Sequence, residues 1–311
     1  MTDQRGGAVD ESCVLTEGPW THRFVGANGS RFHVVEAGTG PLVLFLHGFP
    51  EFWWAWHDVL PRVADAGFRA VAIDLRGYGA SDKPPRGYDG WTLAGDTAGL
   101  VRALGHSSAT LIGHADGGLV CWATSVLHPR VVRAIAVVSS PHPAALRTSV
   151  LTQRDQGRAL LPWMLRYQLP RWPERSLTRH NAAELERLVR SRAGTKWIAS
   201  EDFSETIAWM RQAIQIPSAA HSALEYQRWA VRSQLKSEGR RFMRSMKRPL
   251  TVPMLHLRGD ADPYVLADPV NRTRQYAPHG RYVSIAGAGH FAHEEAPDAV
   301  NDQLARFLVQ D

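Results

Sequence analysis

Two loops near the C-terminal end of the chain carry an acid and a histidine that could form a catalytic pair. Asp262 lies in a turn of sequence RGDADP, and His290 follows a turn of sequence GAG. A carboxylate that is hydrogen-bonded to a histidine orients the ring and stabilises its charged form, so the ring can accept a proton from water. We therefore predict that Asp262 and His290 together activate a water molecule.

A third loop has the spacing of a nucleophile elbow, the strand–turn–helix that projects a side chain into a site. Residues 113–118 read GHADGG, and small residues are needed two positions either side of the elbow centre because backbones crowd there. With glycines at both outer positions, the centre is Ala115, whose methyl group cannot attack a substrate. If the centre is Asp116 instead, the bulky His114 occupies a crowded position. The crowding favours Ala115 as the centre, and Asp116 is the carboxylate best placed to take part in the chemistry.

A fourth loop, residues 47–50 of sequence HGFP, could supply a hydrogen-bond donor for a negatively charged oxygen. Glycine permits a tight turn and proline stiffens it, so the backbone N–H of Phe49 can point at an oxyanion. The backbone N–H of Phe49 is therefore a candidate donor of an oxyanion hole.

Each of these loops follows a segment that reads as a strand, and strands alternate with helices along most of the chain. Alternation of this kind predicts an α/β fold with a mostly parallel central sheet and helices on both faces. In such a sheet, ligands bind beyond the carboxyl ends of the strands. The expected strands are residues 22–25, 31–36, 41–46, 68–73, 109–113, 132–139, 254–257 and 282–285, and the expected helices are 52–66, 93–104, 118–127 and 297–308.

The alternation is interrupted by residues 144–248, which read as mostly helical. We predict that this stretch is an inserted helical cap (lid), that residues 19–143 and 249–311 form the core, and that residues 1–18 are an N-terminal extension. The cap carries 20 lysine and arginine residues against 9 acidic residues, in a chain of net charge +6. A solvated basic face explains this charge, and contact with an anionic membrane surface or an acidic ligand stays open.

The composition excludes several classes of protein. The chain has 311 residues, 44% of them hydrophobic and 21% charged, so a globular protein with a sizeable core is expected. No apolar run approaches the roughly 20 residues needed to span a bilayer. The two cysteines, Cys13 and Cys121, cannot form a disulfide framework, which fits a cytoplasmic location. Metal-ligand spacings and nucleic-acid-binding signatures are absent from the sequence, so we expect no metal, no cofactor and no nucleic-acid partner.

Several longer stretches are similar to the signatures of a known enzyme family. Residues 47–51 read HGFPE, residues 74–84 read DLRGYGASDKP, and residues 140–143 and 167–170 read SPHP and YQLP. With the chain order of elbow, acid and histidine, these motifs resemble the α/β-hydrolase superfamily, and most closely its epoxide hydrolase branch. The chain departs from that branch at the elbow, where the branch carries Asp followed by Trp and this chain carries Ala115 and Asp116.

The resemblance implies that a carboxylate attacks an epoxide and that activated water then hydrolyses the ester. It also implies that the backbone N–H groups of Phe49 and of Asp116, the residue after the elbow centre, form an oxyanion hole. Two cap tyrosines, here Tyr167 and Tyr226, would hydrogen-bond the epoxide oxygen. Trp54, in the aromatic stretch after the HGFP loop, is a candidate substrate contact, with ordinary packing the alternative for all three residues. The expected function is the opening of a small apolar epoxide to a diol by a monomer or homodimer. Ala115 leaves two alternatives open, a catalytically silent member that binds an apolar ligand and an esterase-like hydrolase that uses activated water.

Overall fold

The structure is a computed structural model that describes residues 9–310, so residues 1–8 of the predicted N-terminal extension lie outside it. Eight strands form one sheet in the order β1-β2-β4-β3-β5-β6-β7-β8. The strands β1 and β2 form an antiparallel hairpin and β2 pairs antiparallel with β4, whereas the remaining pairs are parallel. The bounds are β1 Thr21–Ala27, β2 Ser30–Ala37, β3 Leu42–Leu46, β4 Arg69–Ile73, β5 Ala109–His114, β6 Val132–Val138, β7 Met254–Gly259 and β8 Arg281–Ile285.

Helices cover both faces of this sheet, as predicted for an α/β fold. The central strands β3 and β5 are buried along their whole length, as expected for parallel strands that are covered on both sides. Apolar residues pack on one face against α2 and α3 and on the other against α1 and α13. These core helices and two shorter ones are α1 Val59–Asp65, α2 Gly90–Ala103, α3 Ala115–Leu127, α11 Ala267–Thr273, α12 Ala292–Glu295 and α13 Pro297–Gln310.

Seven helices lie in the chain between β6 and β7, in the stretch of residues 144–248 that was expected to be a helical cap. The name cap is used below for this stretch. They are α4 Pro143–Thr152, α5 Arg154–Arg166, α6 Trp172–Arg190, α7 Thr195–Ile198, α8 Glu201–Gln215, α9 Ala219–Arg232 and α10 Ser237–Ser245. The first of them rests on the core, because the Ser149 hydroxyl donates a hydrogen bond of 2.6 Å to Asp268 at the start of α11. Among the described residues, no helix is both long and apolar enough to cross a membrane.

The aromatic stretch after β3 differs from the single helix expected over residues 52–66. It forms a 3-10 helix, Trp53–Trp56, that is followed by the short helix α1. The Trp53 backbone N–H donates to the Asp74 carboxylate at 2.9 Å, and its indole N–H donates to the Val14 carbonyl at 2.7 Å. These long-range hydrogen bonds hold the first turn in place before α1 begins.

The parallel register brings the chemically active loops to one edge of the sheet. Leu46 at the end of β3 pairs with Gly113 of β5, and Val138 at the end of β6 pairs with Leu257 of β7. The loops that follow these strands therefore start side by side. This is the edge at which ligands bind in an open parallel sheet.

Candidate active site

The turn after β5 has the geometry of an elbow centred on Ala115. Ala115 has a φ of 44°, in the left-handed region that residues other than glycine rarely adopt, and α3 begins at this residue. A side-chain carbon on Gly113 would lie 2.6 Å from the backbone of Gly117, and one on Gly117 would collide with the carbonyl oxygen of Leu46. Of the two placements that the sequence left open, the structure has the one in which glycines flank Ala115.

Asp116, the second residue of α3, is in contact with the cap. Its Oδ2 accepts a hydrogen bond of 2.6 Å from Nε2 of Gln227, which belongs to the cap helix α9. Ala115 and Asp116 keep partial solvent access, whereas Gly113, His114 and Gly117 are buried. Burial raises the pKa of Asp116 to about 6, against the opposing charges of His114 and Arg192. The carboxylate is therefore largely ionised at neutral pH and held by the cap.

Asp262 and His290 form the predicted pair at the ends of β7 and β8. Nδ1 of His290 lies 2.9 Å from Oδ2 of Asp262, while the second oxygen of Asp262 accepts the backbone N–H groups of Tyr264 and Val265 at 2.8 and 2.9 Å. The proton between the pair is on Nδ1, since the carboxylate can only accept. Nε2 of His290 is buried and has no hydrogen-bond partner. It is thus free to accept a proton.

The protonation states of this pair suit a base. Burial lowers the pKa of His290 below its usual value, although the charge of Asp262 acts in the opposite direction. Burial alone would raise the pKa of Asp262, but the charge and hydrogen bond of His290 outweigh it and hold that pKa below its usual range. At neutral pH the structure therefore contains a neutral imidazole beside an ionised carboxylate.

The backbone of His290 is fixed from two other directions. Its N–H donates to the carbonyl of Arg192, between cap helices α6 and α7, at 2.9 Å. Its carbonyl lies 3.0 Å from Nε2 of His114, and Nδ1 of His114 lies 2.8 Å from Glu51. The carbonyl of His290 and the carboxylate of Glu51 can only accept a hydrogen bond, so both ring nitrogens of His114 carry a proton. His114 is therefore an imidazolium. The elbow, the cap and the loop of Asp262 all hold His290 in position.

The two backbone N–H groups that were predicted to form an oxyanion hole belong to neighbouring turns. The turn at residues 48–51 lies against the elbow, because a side-chain carbon on Gly48 would lie 2.7 Å from the Ala115 methyl. Within the described chain, the N–H of Phe49 donates to no other residue. The N–H of Asp116 is in the first turn of α3, where no intrahelical acceptor exists.

The two cap tyrosines differ from each other. The Tyr167 hydroxyl is buried without a hydrogen-bond partner, and its ring meets that of Phe49 edge-on at 5.7 Å. The Tyr226 hydroxyl instead donates to the carbonyl of Arg76 at 2.7 Å. Because a phenol has a single proton to donate, Tyr226 is not available to an epoxide oxygen in this structure. Its hydrogen bond joins the cap to the core. This corresponds to the packing role that the sequence left open as the alternative to a contact with substrate.

Trp54 lies in an aromatic cluster at the interface between the core and the cap. Its ring contacts Trp20, Trp53, His57 and Trp209, with centroids 4.3 to 6.1 Å away. Among the described residues, its ring contacts do not include the rings around His290. Packing therefore accounts for Trp54 in this structure, and its expected role as a substrate contact gains no support.

Several residues of the site gave no signal in the sequence. Glu295 accepts N–H groups from Gly194 of the cap and from Gly289 and Phe291 beside the base, at 2.8, 2.6 and 3.0 Å. Tyr264 lies edge-on to His290 at 5.0 Å. A tyrosine directly after the RGDADP turn is the only available hint for Tyr264, whereas Gln227, Arg192 and Glu295 reach the site only through the packing of the cap.

Two clusters bring three possible metal ligands together, one of them directly beneath the elbow. Glu51, His114 and His293 are all buried, with one ligand atom of each within 4.8 Å of the others. Glu51 already accepts the Gly48 N–H at 2.7 Å as well as His114. Burial disfavours the charged form of both Glu51 and His114. The attraction between the two charges outweighs burial, so the pKa of Glu51 is well below its usual value and that of His114 is above it. Ion pairing accounts for this cluster, and the other, His57, Asp58 and Asp202, is partly exposed.

Comparison with sequence families and curated proteins agrees with this geometry. Residues 41–297 match the model of the alpha/beta hydrolase fold family. An AB hydrolase superfamily protein of Bacillus subtilis is 31% identical over 92% of this chain and 97% of its own length. Epoxide hydrolase A of Mycobacterium tuberculosis is 30% identical over 93% and 97%, and epoxide hydrolase 4 of Mus musculus is 30% identical over 96% and 83%.

Solved structures give the same result. An epoxide hydrolase of Bacillus megaterium, crystallised with an inhibitor, superposes with a TM-score of 0.79 at 26% identity, over 92% of this chain and all of that one. Epoxide Hydrolase A of Mycobacterium thermoresistibile superposes with a TM-score of 0.75 at 27% identity, over 93% and 98%. The fold predicted from the alternating elements is thereby confirmed.

Proposed function

The chain belongs to the α/β-hydrolase family, in its epoxide hydrolase branch, and on that premise we propose that it hydrolyses a small epoxide to a diol. The observation that carries the proposal is the His290–Asp262 pair, with Nδ1 bound to the carboxylate and Nε2 unoccupied. An imidazole of lowered pKa in this arrangement is neutral at pH 7 and can take a proton from water.

The residues around the base supply the other requirements of the reaction. Nε2 of His290 takes a proton from water, the water oxygen attacks an epoxide carbon, and the carbon–oxygen bond of the ring breaks. The released oxygen takes the proton of the Tyr167 hydroxyl, and the proton on His290 then restores the tyrosine. Burial raises the pKa of Tyr167, so it is neutral before this transfer.

Asp116 offers a second route to the same diol. Its carboxylate would attack the epoxide to form a hydroxyalkyl ester, and activated water would then cleave that ester with the N–H groups of Phe49 and Asp116 stabilising the oxyanion. In this structure the carboxylate is hydrogen-bonded to Gln227. Gln227 holds only Oδ2, but Asp116 lies one residue beyond the elbow centre. A displacement of about 1 Å can cost about a hundredfold in rate, so we favour the direct attack of water.

Turnover of styrene oxide tests the function. We expect His290→Ala to lower the rate of diol formation by about a hundredfold or more, the usual contribution of a positioned base. His279→Ala, which removes an exposed histidine, should leave the rate unchanged. Equal background rates in the wild type, His290→Ala and Asp116→Asn would refute the proposal.

A single turnover in ¹⁸O-labelled water separates the two routes. Direct attack places the label in the diol at once and leaves Asp116 unlabelled. The ester route delivers unlabelled oxygen to the first diol and leaves the label in the carboxylate of Asp116, where peptide mass spectrometry would detect it.

One observation favours a second candidate function. The elbow centre carries the methyl group of Ala115, so the side chain that attacks substrate in the branch is missing. A silent protein that binds a small ligand beneath the cap would have this feature. It would bind styrene oxide or its diol without turnover in every variant.

A further inference from the structure

Arg192 is a buried cation without a counter-ion. Its side chain lies in the turn between α6 and α7, and the residue is only 3% exposed. Nε and Nη2 are both buried and neither has a hydrogen-bond partner. In the part of the chain that the structure describes, no carboxylate ion-pairs with this guanidinium.

The guanidinium lies next to the proposed base. It stacks on the ring of Tyr264 at 3.7 Å, and that ring meets His290 edge-on at 5.0 Å. The ring of Trp163 is 5.5 Å from the guanidinium on the cap side. The Arg192 carbonyl also accepts the His290 N–H at 2.9 Å. The unpaired charge is therefore part of the same site as the imidazole.

The two unpartnered nitrogens form one edge of the guanidinium. Nε–H and the nearer N–H of Nη2 point in the same direction and match the two oxygens of a carboxylate. The same chain contains an occupied example, since Nε and Nη2 of Arg76 hold Asp96 at 2.6 and 2.7 Å in a buried pair. Arg192 presents the same edge with no carboxylate on it, and the phenol groups of Tyr167 and Tyr264 that interact with this guanidinium are neutral.

A charge buried in this way is costly unless an anion compensates it. Aromatic faces attract a cation, but this attraction is smaller than the cost of burying a charge without an anionic partner. The charge of Arg192 acts on Asp116 from beyond ion-pairing distance, and Asp116 is held by Gln227. The missing partner must then come from a bound molecule.

We propose that the edge of Arg192 formed by Nε and Nη2 is a carboxylate-binding position, so that the natural ligand is a small, otherwise apolar molecule carrying one carboxylate group. The proposal rests on the proposed function and narrows its substrate class to an epoxide with an acid group within reach of Arg192. The carboxylate at one end of the ligand would bind Arg192, and the epoxide at the other end would lie near His290.

Charge and shape favour a carboxylate over phosphate. A planar anion fits the flat two-donor edge, whereas inorganic phosphate carries more negative charge at neutral pH. The ionised Asp116 shares this site, so an additional dianion would be repelled more strongly than a monoanion. Phosphate is therefore expected to bind more weakly.

Calorimetric titration with two matched probes tests the proposal. Phenylacetate and phenylacetamide have nearly the same shape and differ in charge, and inorganic phosphate serves as the third probe. The variants are Arg192→Met, which removes the charge, and Arg192→Lys, which keeps the charge but loses the two-donor edge. Arg175→Met removes an exposed cap arginine and is the matched control.

The wild type should bind phenylacetate at least about tenfold more tightly than phenylacetamide, as expected for a charge-assisted pair of hydrogen bonds. Arg192→Met should lose this preference, Arg192→Lys should retain a smaller one, and Arg175→Met should behave as the wild type. Equal binding of acid and amide, no binding of either, tighter binding of phosphate, or an unchanged preference in Arg192→Met would overturn the proposal. If Arg192→Met does not fold, an unchanged preference in Arg192→Lys overturns it instead.

This outcome is independent of turnover. A preference for phenylacetate that depends on Arg192, in a protein that does not open styrene oxide, would support the carboxylate site and refute the epoxide reaction. Turnover of styrene oxide that depends on His290, without a preference for phenylacetate, would support the epoxide reaction and refute the carboxylate site.

Discussion

The carboxamide of Gln227 donates a hydrogen bond of 2.6 Å to the carboxylate of Asp116. This bond joins cap helix α9 to the first turn of α3, one residue after the elbow centre. Burial raises the pKa of Asp116 to about 6, and the Gln227 hydrogen bond is one of the interactions that limit the rise. The cap therefore helps to orient this acid and favours its ionised form.

Removing the donor should raise the pKa of Asp116 further. We predict that Gln227→Leu moves the titration of Asp116 above pH 6, because the ionised carboxylate loses a hydrogen bond while burial is retained. Carbon-13 NMR of labelled aspartate side chains across a pH series measures this shift directly. Gln234→Leu, which alters another glutamine of the cap, is the control and should not change the titration. An unchanged or lowered pKa in Gln227→Leu would contradict the prediction.

Restoring a carboxylate at the elbow centre should increase epoxide opening. We predict that Ala115→Asp raises the rate of diol formation by about tenfold or more, because a correctly placed nucleophile avoids the loss that a displaced carboxylate suffers. Aspartate also tolerates the φ of 44° at this position better than most residues. Rates of styrene oxide turnover at neutral pH measure the effect.

Ala115→Asn is the matched control for this change, since it has nearly the same size and no nucleophilic oxygen of comparable strength. Equal rates for Ala115→Asp and Ala115→Asn would show that the elbow centre does not reach the substrate.

The pH dependence of turnover should report on His290. The neutral imidazole is the active form and its pKa lies below 6.5, so the rate should be constant above that pH and fall as the pH drops through the lowered pKa. Asp262 raises the pKa of His290 by its charge, so Asp262→Asn should move the acidic limb to lower pH and reduce the maximal rate. Asp260→Asn, on the same turn, is the control. A limb that moves to higher pH in Asp262→Asn would contradict this assignment.

The buried pair of Glu51 and His114 should contribute strongly to stability. Glu51→Gln leaves the His114 charge without its partner, so we expect the free energy of unfolding to fall by about 3–5 kcal/mol. Urea denaturation of Glu51→Gln against Glu205→Gln, an exposed glutamate of the cap, measures the difference. A loss no larger than that of the control would refute the role of the pair.

The same pair sets a pH window for this stabilisation. The pKa of Glu51 is lowered well below 4.5, so its contribution is present above 4.5 and is lost as the pH falls through the lowered pKa. The pKa of His114 is raised above 6.5, so its contribution is present below 6.5 and is lost as the pH rises through the raised pKa. The difference in the free energy of unfolding between the wild type and Glu51→Gln should be largest between pH 4.5 and pH 6.5.

The parts of the site that depend on local turns could be predicted from the sequence. Glycines at 113 and 117 indicated the crowded elbow, and the positive φ of Ala115 agrees with the prediction made from their spacing. The pairing of Asp262 with His290 followed from the chain order of strand-end loops, because parallel strands bring such loops together.

The parts that depend on cap packing could not be predicted in this way. The sequence indicates that Tyr226 is near the site but does not reveal that its proton is bound to the Arg76 carbonyl. Arg192 is one of 20 basic residues in the predicted cap, and nothing in the local sequence distinguishes it from those on the surface.

The start of α3 also differs from the prediction. The helix begins at Ala115 rather than Gly118, because the elbow turn leads directly into it.

The hydrogen bond from the His290 N–H to the Arg192 carbonyl has a consequence for how molecules reach the interior. With Glu295 bridging Gly194 and Gly289, it couples the main chains of cap and core beside His290. An outward movement of the cap as one rigid body would break these hydrogen bonds and displace the imidazole. We therefore expect ligands to enter and leave through local side-chain rearrangement.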